Sequence, residues 1–103
     1  MIARTWQGRV PASKAEEYYE FLKRTGLPDY QATPGNRGVF VQRRIQGDTA
    51  QFVLTTLWDS IESIKRFAGE RYEEARYYPE DDDFLLERER YVTHAEVLMA
   101  ALG

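Results

Sequence analysis

The apolar and polar positions of the chain follow two rhythms, one typical of strands and one typical of helices. Residues 2–10, 39–45, 52–58 and 91–100 are rich in β-branched and aromatic residues, which predicts four strands. The letters QGDT separate the second and third of these segments and are typical of a tight turn. The middle two strands are therefore expected to form a hairpin.

The segment after the first strand predicts the first helix. Ser13 and Glu16 have the spacing of a capping box, so the helix is expected to start near Ser13. Gly26 suits the position just past a helix end, and Pro28 should prevent the helix from continuing. The following stretch, LPDYQATPGNRG, is expected to be irregular, with one further helical turn around Tyr30 at most.

The segment after the third strand predicts the second helix. Asp59 or Ser60 can cap its start, and Gly69 suits its end. A short helical piece is expected over residues 70–78. The acidic run Glu80 to Asp83 lacks the spacing and the central glycine of an EF-hand loop, so it is interpreted as a solvated turn without a metal ion.

The order strand, helix, strand, strand, helix, strand predicts one α+β domain over residues 1–103. It is the split βαβ order of ferredoxin-like folds, with both helices on one face of a four-stranded antiparallel sheet. Along the third strand, one face would carry Phe52, Leu54, Thr56 and Trp58, and the other Val53, Thr55 and Leu57. Neither set is charged, so a second copy of the chain is expected to cover the face without helices.

Composition and charge exclude several classes of protein. The 103 residues carry a net charge of −3 and contain no cysteine, so neither a nucleic-acid footprint nor a disulfide or thiolate metal site is expected. No segment approaches the roughly 18 apolar residues of a membrane span. The start MIARTWQGRV lacks the apolar core of a signal peptide, so a cytoplasmic location is expected.

The segment FVLTTLWDSIESIKRFAG resembles the strand-to-helix segment of the antibiotic biosynthesis monooxygenase family, in which an apolar third strand ends in a tryptophan. The later segment ARYYPEDDDFLLERERYVTHAEV is similar to the closing segment of one bacterial branch of that family. The resemblance implies a dimeric α/β barrel, in which two ferredoxin-like protomers join their sheets. The superfamily includes monooxygenases, haem-binding and haem-degrading enzymes, isomerases and members without assigned activity.

The resemblance implies a monooxygenase that works without metal or flavin. In such family members a phenolic substrate is deprotonated in an enclosed apolar cavity, and its carbanion reacts with dioxygen. The family's haem-degrading members have an asparagine on the first strand and a histidine on the second helix. Here IARTWQGRV has no asparagine and SIESIKRFAG has no histidine, so haem degradation is not expected and only haem binding through His94 stays open.

Two tryptophans are candidate site residues. Trp58 ends the third strand on its helix-covered face, where it can either form the wall of a pocket for a planar aromatic ligand or anchor the core. Trp6 lies on the same face of the first strand as Ile2, Arg4 and Gly8. Two positions are equally open for it, a pocket and the dimer interface.

His94 is the only histidine of the chain, and it is the candidate general base. Strand four should pair with strand one, which places His94 opposite Arg4 or Trp6; a structural sheet histidine is the alternative. Arg4, Phe67 and Tyr72 are candidate substrate contacts, Arg4 for an acidic group. Tyrosines 77 and 78 can add phenolic hydroxyls to a pocket mouth or simply pack.

Three functional classes follow from these residues. The first is a cofactor-independent oxygenase that acts on a small aromatic or quinone-like molecule. The second is a non-catalytic ligand-binding or stress-related dimer. The third, an RNA-recognition module, shares the topology, but the strand FVLTTLW lacks the basic, glycine-containing aromatic pattern that such a module requires.

Overall fold

The computed structural model describes residues 1–103. In chain order, its strands and helices are β1 (Ile2–Pro11), α1 (Ala15–Arg24), α2 (Gly26–Ala32), β2 (Asn36–Gln46), β3 (Thr49–Trp58), α3 (Ile61–Ala68) and β4 (Thr93–Glu96). Two short 3-10 turns, Ala12–Lys14 and Pro79–Asp83, complete the regular structure. The α+β class and the predicted order of the four strands are confirmed.

The four strands form one antiparallel sheet in the order β2-β3-β1-β4. β2 and β3 form the predicted hairpin, and Gly47 in its two-residue loop has a φ of 55°, a conformation that glycine adopts without a steric cost. β1 lies between β3 and β4, and its pairing with β4 places Arg4 directly opposite His94. The predicted pairing of the first and last strands is thereby confirmed.

The helices cover one face of the sheet, and the core lies between the two layers. Phe52, Leu54, Thr56 and Trp58 of β3 are all buried there, as their alternation predicts. Val53, Thr55 and Leu57 point to the open face and are only half-buried. The isolated chain therefore leaves a largely uncharged stripe of its sheet in contact with water.

The first helix starts later than predicted, and its capping box is not formed. Ser13 lies in the 3-10 turn before α1, and no side chain caps the helix at Lys14. Gly26 does not end the helical region; it begins α2, a helix that was expected to be one turn at most. Pro28 is tolerated because the N–H groups in the first turn of a helix have no partner within the helix.

The second predicted helix, α3, begins with one of its two predicted caps and has a capping box. Ser60 is the cap; its side chain accepts a hydrogen bond from the Ser63 N–H, and the Ser63 side chain accepts one from the Ser60 N–H. Asp59 instead pairs with Arg37. Gly69 ends the helix as predicted.

Residues 70–91, here called the strap, cross the helix-covered side and contain no α-helix, so the helical piece predicted over residues 70–78 is wrong. The strap folds back on itself through a bridge between Glu74 and Tyr91. The acidic run is only partly solvated, because Asp81 is 4% exposed and accepts hydrogen bonds inside the protein. A carboxylate can be buried when two groups inside the protein donate hydrogen bonds to it.

The last strand is much shorter than the ten residues predicted for it. β4 comprises Thr93–Glu96, and the apolar residues Leu98, Met99 and Leu102 beyond it are exposed.

None of the helices combines the length and the apolar composition that crossing a membrane takes.

Candidate functional site

Trp6 lies on the helix-covered face of β1, where it is 7% exposed. Its indole lies across Gly8: a Cβ atom at that position would be 2.3 Å from the ring, so only glycine leaves room for it. The indole Nε1 donates a hydrogen bond of 3.2 Å to the Tyr77 hydroxyl of the strap. Of the two positions left open by the sequence, the structure places Trp6 under the helices and strap rather than on the open face.

Arg4 is the most unusual residue of this region. It is 2% exposed, and burial lowers the pKa of its guanidinium, although an arginine stays charged in proteins. The Nη2 atom donates to the backbone carbonyl of Glu74 at 3.1 Å, whereas Nε has no acceptor. None of the ion pairs of the protein involves Arg4. A positive charge is thus buried without a carboxylate partner, which is energetically costly.

A cluster of aromatic rings adjoins the Arg4 guanidinium. Its Cζ atom lies 5.5 Å from the centre of the Phe67 ring, and the Tyr30 ring lies 4.5 Å from the same ring. Arg76, from the strap, approaches Phe67 to 4.7 Å and forms an ion pair of 3.5 Å with Asp29. Arg76 is 41% exposed along its side chain and therefore stands at the mouth of the region.

Asp81 provides the negative charge at the other end of this region. Its carboxylate accepts a hydrogen bond of 3.1 Å from the Tyr18 hydroxyl and one of 2.7 Å from the Tyr78 N–H. Burial raises the pKa of Asp81 above its ordinary value, and these two donors oppose the change. The Tyr78 hydroxyl in turn donates to Asp29, which fixes the strap to α2.

These side chains enclose a cavity between the sheet, α1, α2 and the strap. Its lining residues are Arg4, Trp6, Tyr18, Leu22, Gly26, Tyr30, Leu54, Arg76, Tyr77, Tyr78 and Asp81. The cavity has a volume of about 30 Å³, enough for roughly one or two water molecules. Pockets for small organic ligands measure roughly 300–1,000 Å³, so this cavity is too small for such a ligand as it stands.

His94 lies beside the cavity without lining it. Across the strands it is paired with Arg4, which separates it from the cavity. Its ring packs edge-on against Tyr72 at 5.4 Å, and its buried Nε2 has no hydrogen-bond partner. Burial lowers the pKa of His94, and the positive charge of Arg4 lowers it further, against a smaller opposite effect of Glu73. The imidazole is therefore neutral at neutral pH, with a nitrogen free to accept a proton.

Trp58 belongs to the packed core. It is fully buried, its Nε1 donates to the Thr56 hydroxyl at 2.8 Å, and its ring lies 5.8 Å from Phe67. Of the residues selected from the sequence, Arg4, Trp6, Tyr77 and Tyr78 line the cavity. Phe67 and His94 border it through Arg4, and Tyr72 borders His94. The functional roles assigned to these residues from the sequence stay predictions.

Sequence reasoning missed four of the polar residues around the cavity, namely Tyr18, Tyr30, Arg76 and Asp81. Tyr18 has a helical spacing that indicates burial but not a hydroxyl turned towards a carboxylate. Asp81 lies in a run of four acidic residues. Only the preceding Pro79 indicates a local turn, in which one carboxylate can point into the protein.

Comparison with known proteins rests on structure alone. No protein-family model matches the sequence, and no curated protein matches it. The haem degrader MhuD from Mycobacterium tuberculosis, with two haems bound in its active site, is 18% identical, with a TM-score of 0.65 over 98% of this chain and 99% of its own.

Two further solved structures are similar along their whole length. An antibiotic biosynthesis monooxygenase candidate from Bacillus cereus is 16% identical, with a TM-score of 0.64 over 97% of both chains. An uncharacterised NIPSNAP domain protein from Burkholderia xenovorans is 17% identical, with a TM-score of 0.60 over both complete chains. The chain therefore has the fold of antibiotic biosynthesis monooxygenase-type proteins, which confirms the resemblance at the level of fold.

Proposed function

We propose that the protein is an oxygenase that acts on a small, enolisable aromatic molecule without metal or flavin. The observation that carries this proposal is the cross-strand pair of Arg4 and His94. His94 offers a neutral base with a free nitrogen, and Arg4 offers a buried positive charge next to it. Removing a proton from a phenol or its keto form requires such a base, and the resulting anion is stabilised by such a charge.

In the proposed reaction the strap opens and uncovers His94, because Tyr72 of the strap packs against its ring. His94 then takes the proton, and the aromatic wall of the cavity holds the ring of the substrate. The electron-rich carbanion then reduces dioxygen, so that a CH₂ group and O₂ become a carbonyl group and water. Exclusion of bulk water by the strap favours this reaction over side reactions. The indole of Trp6, held in place by its hydrogen bond to Tyr77, would form part of this aromatic wall.

Substrate entry requires the strap to move, since the cavity is far smaller than an aromatic ligand. The strap is attached to α2 through Asp29, which binds both Arg76 and Tyr78. Contacts of this type are made between side chains at the surface, and each is weak enough to open. The proposal therefore includes an open state in which the Asp29 contacts are broken.

Haem is not a fitting ligand for the residues as they stand. MhuD binds haem in the same fold, but here no histidine lines the cavity. The one histidine lies behind the positively charged Arg4. Haem therefore has no role in the proposed reaction.

Assembly is the second part of the proposal: two copies join their open sheet faces. Leu57 and Val53 are half-buried on this face in the isolated chain, and Phe40 beside them is 39% exposed. Leu57→Lys is expected to convert a dimer into the 12.1-kDa monomer at micromolar concentration, as measured by sedimentation. Gln31→Lys, an exposed change on α2 away from this face, is the control. A wild-type monomer contradicts this part of the proposal.

Oxidation of anthrone to anthraquinone tests the catalytic part. Wild type should accelerate the reaction over a protein-free sample at the same pH, and the rate should rise as His94 loses its proton, below the ordinary range of an imidazole. His94→Gln should remove this pH dependence and lower the rate by roughly 100-fold. Glu96→Gln, an exposed change on the same strand, is the control.

Two results would contradict the catalytic proposal. An unchanged pH–rate profile in His94→Gln would leave His94 as a structural sheet residue. Binding of anthrone without any oxidation would instead favour the non-catalytic ligand-binding protein.

A further inference from the structure

The geometry points to a substrate that carries a permanent carboxylate next to its enol or phenol hydroxyl. Arg4 would hold this carboxylate, with Arg76 at the cavity mouth. This inference rests on the proposed function and names the substrate class of the same site. An ortho-hydroxyaryl carboxylate is the simplest molecule of that class.

The first argument is the unmet charge of Arg4. At 2% exposure, its guanidinium has given up water, and it has received one backbone carbonyl in return. The Tyr30 hydroxyl beside it opposes the effect of burial on the pKa of Arg4, but no carboxylate does so. The Nε atom of Arg4 has no acceptor, and Arg4 lines the cavity. A guanidinium has the planar, two-pronged donor arrangement that matches a carboxylate. An enolate that exists only during turnover would leave this charge unmatched for most of the protein's lifetime.

The second argument is that a second guanidinium lines the same cavity. Arg76 lies 4.7 Å and Arg4 5.5 Å from the centre of the same Phe67 ring. The two positive charges sense each other, because Arg76 contributes to the lowered pKa of Arg4. Two like charges lining one cavity are favoured once an anion stands between them.

The carboxylates of the protein do not meet this demand. Asp29 is shared by Arg76 and Tyr78 at the mouth, and Asp81 is held by Tyr18 and by the Tyr78 backbone. Neither forms an ion pair with Arg4. The aromatic residues Trp6 and Tyr30 line the same cavity as Arg4 and suit the ring that carries the carboxylate.

Titration calorimetry with two probes of the same shape tests this inference. The probes are 1-hydroxy-2-naphthoate and its neutral amide, 1-hydroxy-2-naphthamide. Wild type should bind the naphthoate roughly 10- to 100-fold more tightly than the amide, the range that charged hydrogen bonds support. Arg4→Met should abolish the preference, and Arg76→Met should reduce it several-fold. Arg71→Met, an exposed arginine of the strap, is the control.

The outcomes separate this inference from the proposed function. Equal affinity for the two probes, no binding of either at millimolar concentration, or a preference that survives in Arg4→Met overturns the inference. If Arg4→Met does not fold by circular dichroism, Arg4→Gln serves for the same comparison. A clear preference for the naphthoate together with no oxidation of either anthrone or the naphthoate would sustain the inference while the oxygenase proposal fails.

Discussion

Two tryptophans on the same face of the sheet have opposite surroundings. Trp58 is fully buried, and its only polar atom is satisfied within its own strand by Thr56. Trp6 shares a cavity with a buried cation, and its indole nitrogen depends on Tyr77 of the strap. The Trp58 end of the face is thus optimised for packing. The Trp6 end retains polar groups that the fold alone does not need.

The difference teaches where to look for function in this fold. Native interiors satisfy nearly all buried polar atoms, and the two buried side-chain atoms without partners are Arg4 Nε and His94 Nε2. Both belong to one cross-strand pair, and its member Arg4 lines the same cavity as Trp6. A cost in stability that is concentrated in one place is typical of a site that acts on a ligand.

The largest expected difference between the two tryptophans is in the stability that each one contributes. Trp58→Ala should lower the free energy of unfolding by about 3–5 kcal/mol, because it removes a fully buried ring and leaves a void. Trp6→Ala should cost only about 2 kcal/mol, since Trp6 already borders a cavity. Urea denaturation measures both; a larger loss for Trp6→Ala would reverse the comparison.

A second variant should move stability in the opposite direction. Arg4→Met removes a buried charge that has no carboxylate partner and keeps a side chain of similar length. We expect the free energy of unfolding to rise by about 1–3 kcal/mol, as reported in general for apolar replacements of buried charges. Arg71→Met, at the surface, should change it by less than about 0.5 kcal/mol. A loss of stability in Arg4→Met would show that the guanidinium is needed for folding.

Much of the scaffold could be predicted because its patterns are local. Period-two alternation in β3 correctly assigned Trp58 to the covered face, and Gly69 correctly ended α3. The split βαβ order then determined that β4 pairs with β1, which placed His94 opposite Arg4 or Trp6, and the structure selects Arg4. Each of these inferences depends on neighbours in sequence or on a general rule of topology.

The strap could not be predicted, because its structure depends on partners far away in sequence. Asp81 is buried by the hydroxyl of Tyr18, 63 residues earlier, and Tyr78 is held by Asp29, 49 residues earlier. No local pattern in YYPEDDD reports such contacts. The same reason explains why the cavity residues Arg76 and Tyr30 were missed, whereas Arg4 and Trp6, on a regular strand, were found.

The smallest effect concerns the pH dependence of stability at His94. Its pKa is lowered in the folded protein, first by burial and then by the charge of Arg4, with Glu73 opposing. The unfolded chain therefore binds more protons than the folded one just below pH 6.5, so stability falls as the pH falls through that value. The loss should stay below about 1.4 kcal/mol per pH unit, and His94→Gln should remove it. Urea denaturation of both proteins between roughly pH 5 and pH 7.5 measures the difference, in which the contribution of Asp81 cancels because both retain it. Identical slopes would mean that His94 titrates alike in the folded and unfolded chains, and the Trp6 end would then lose its candidate base.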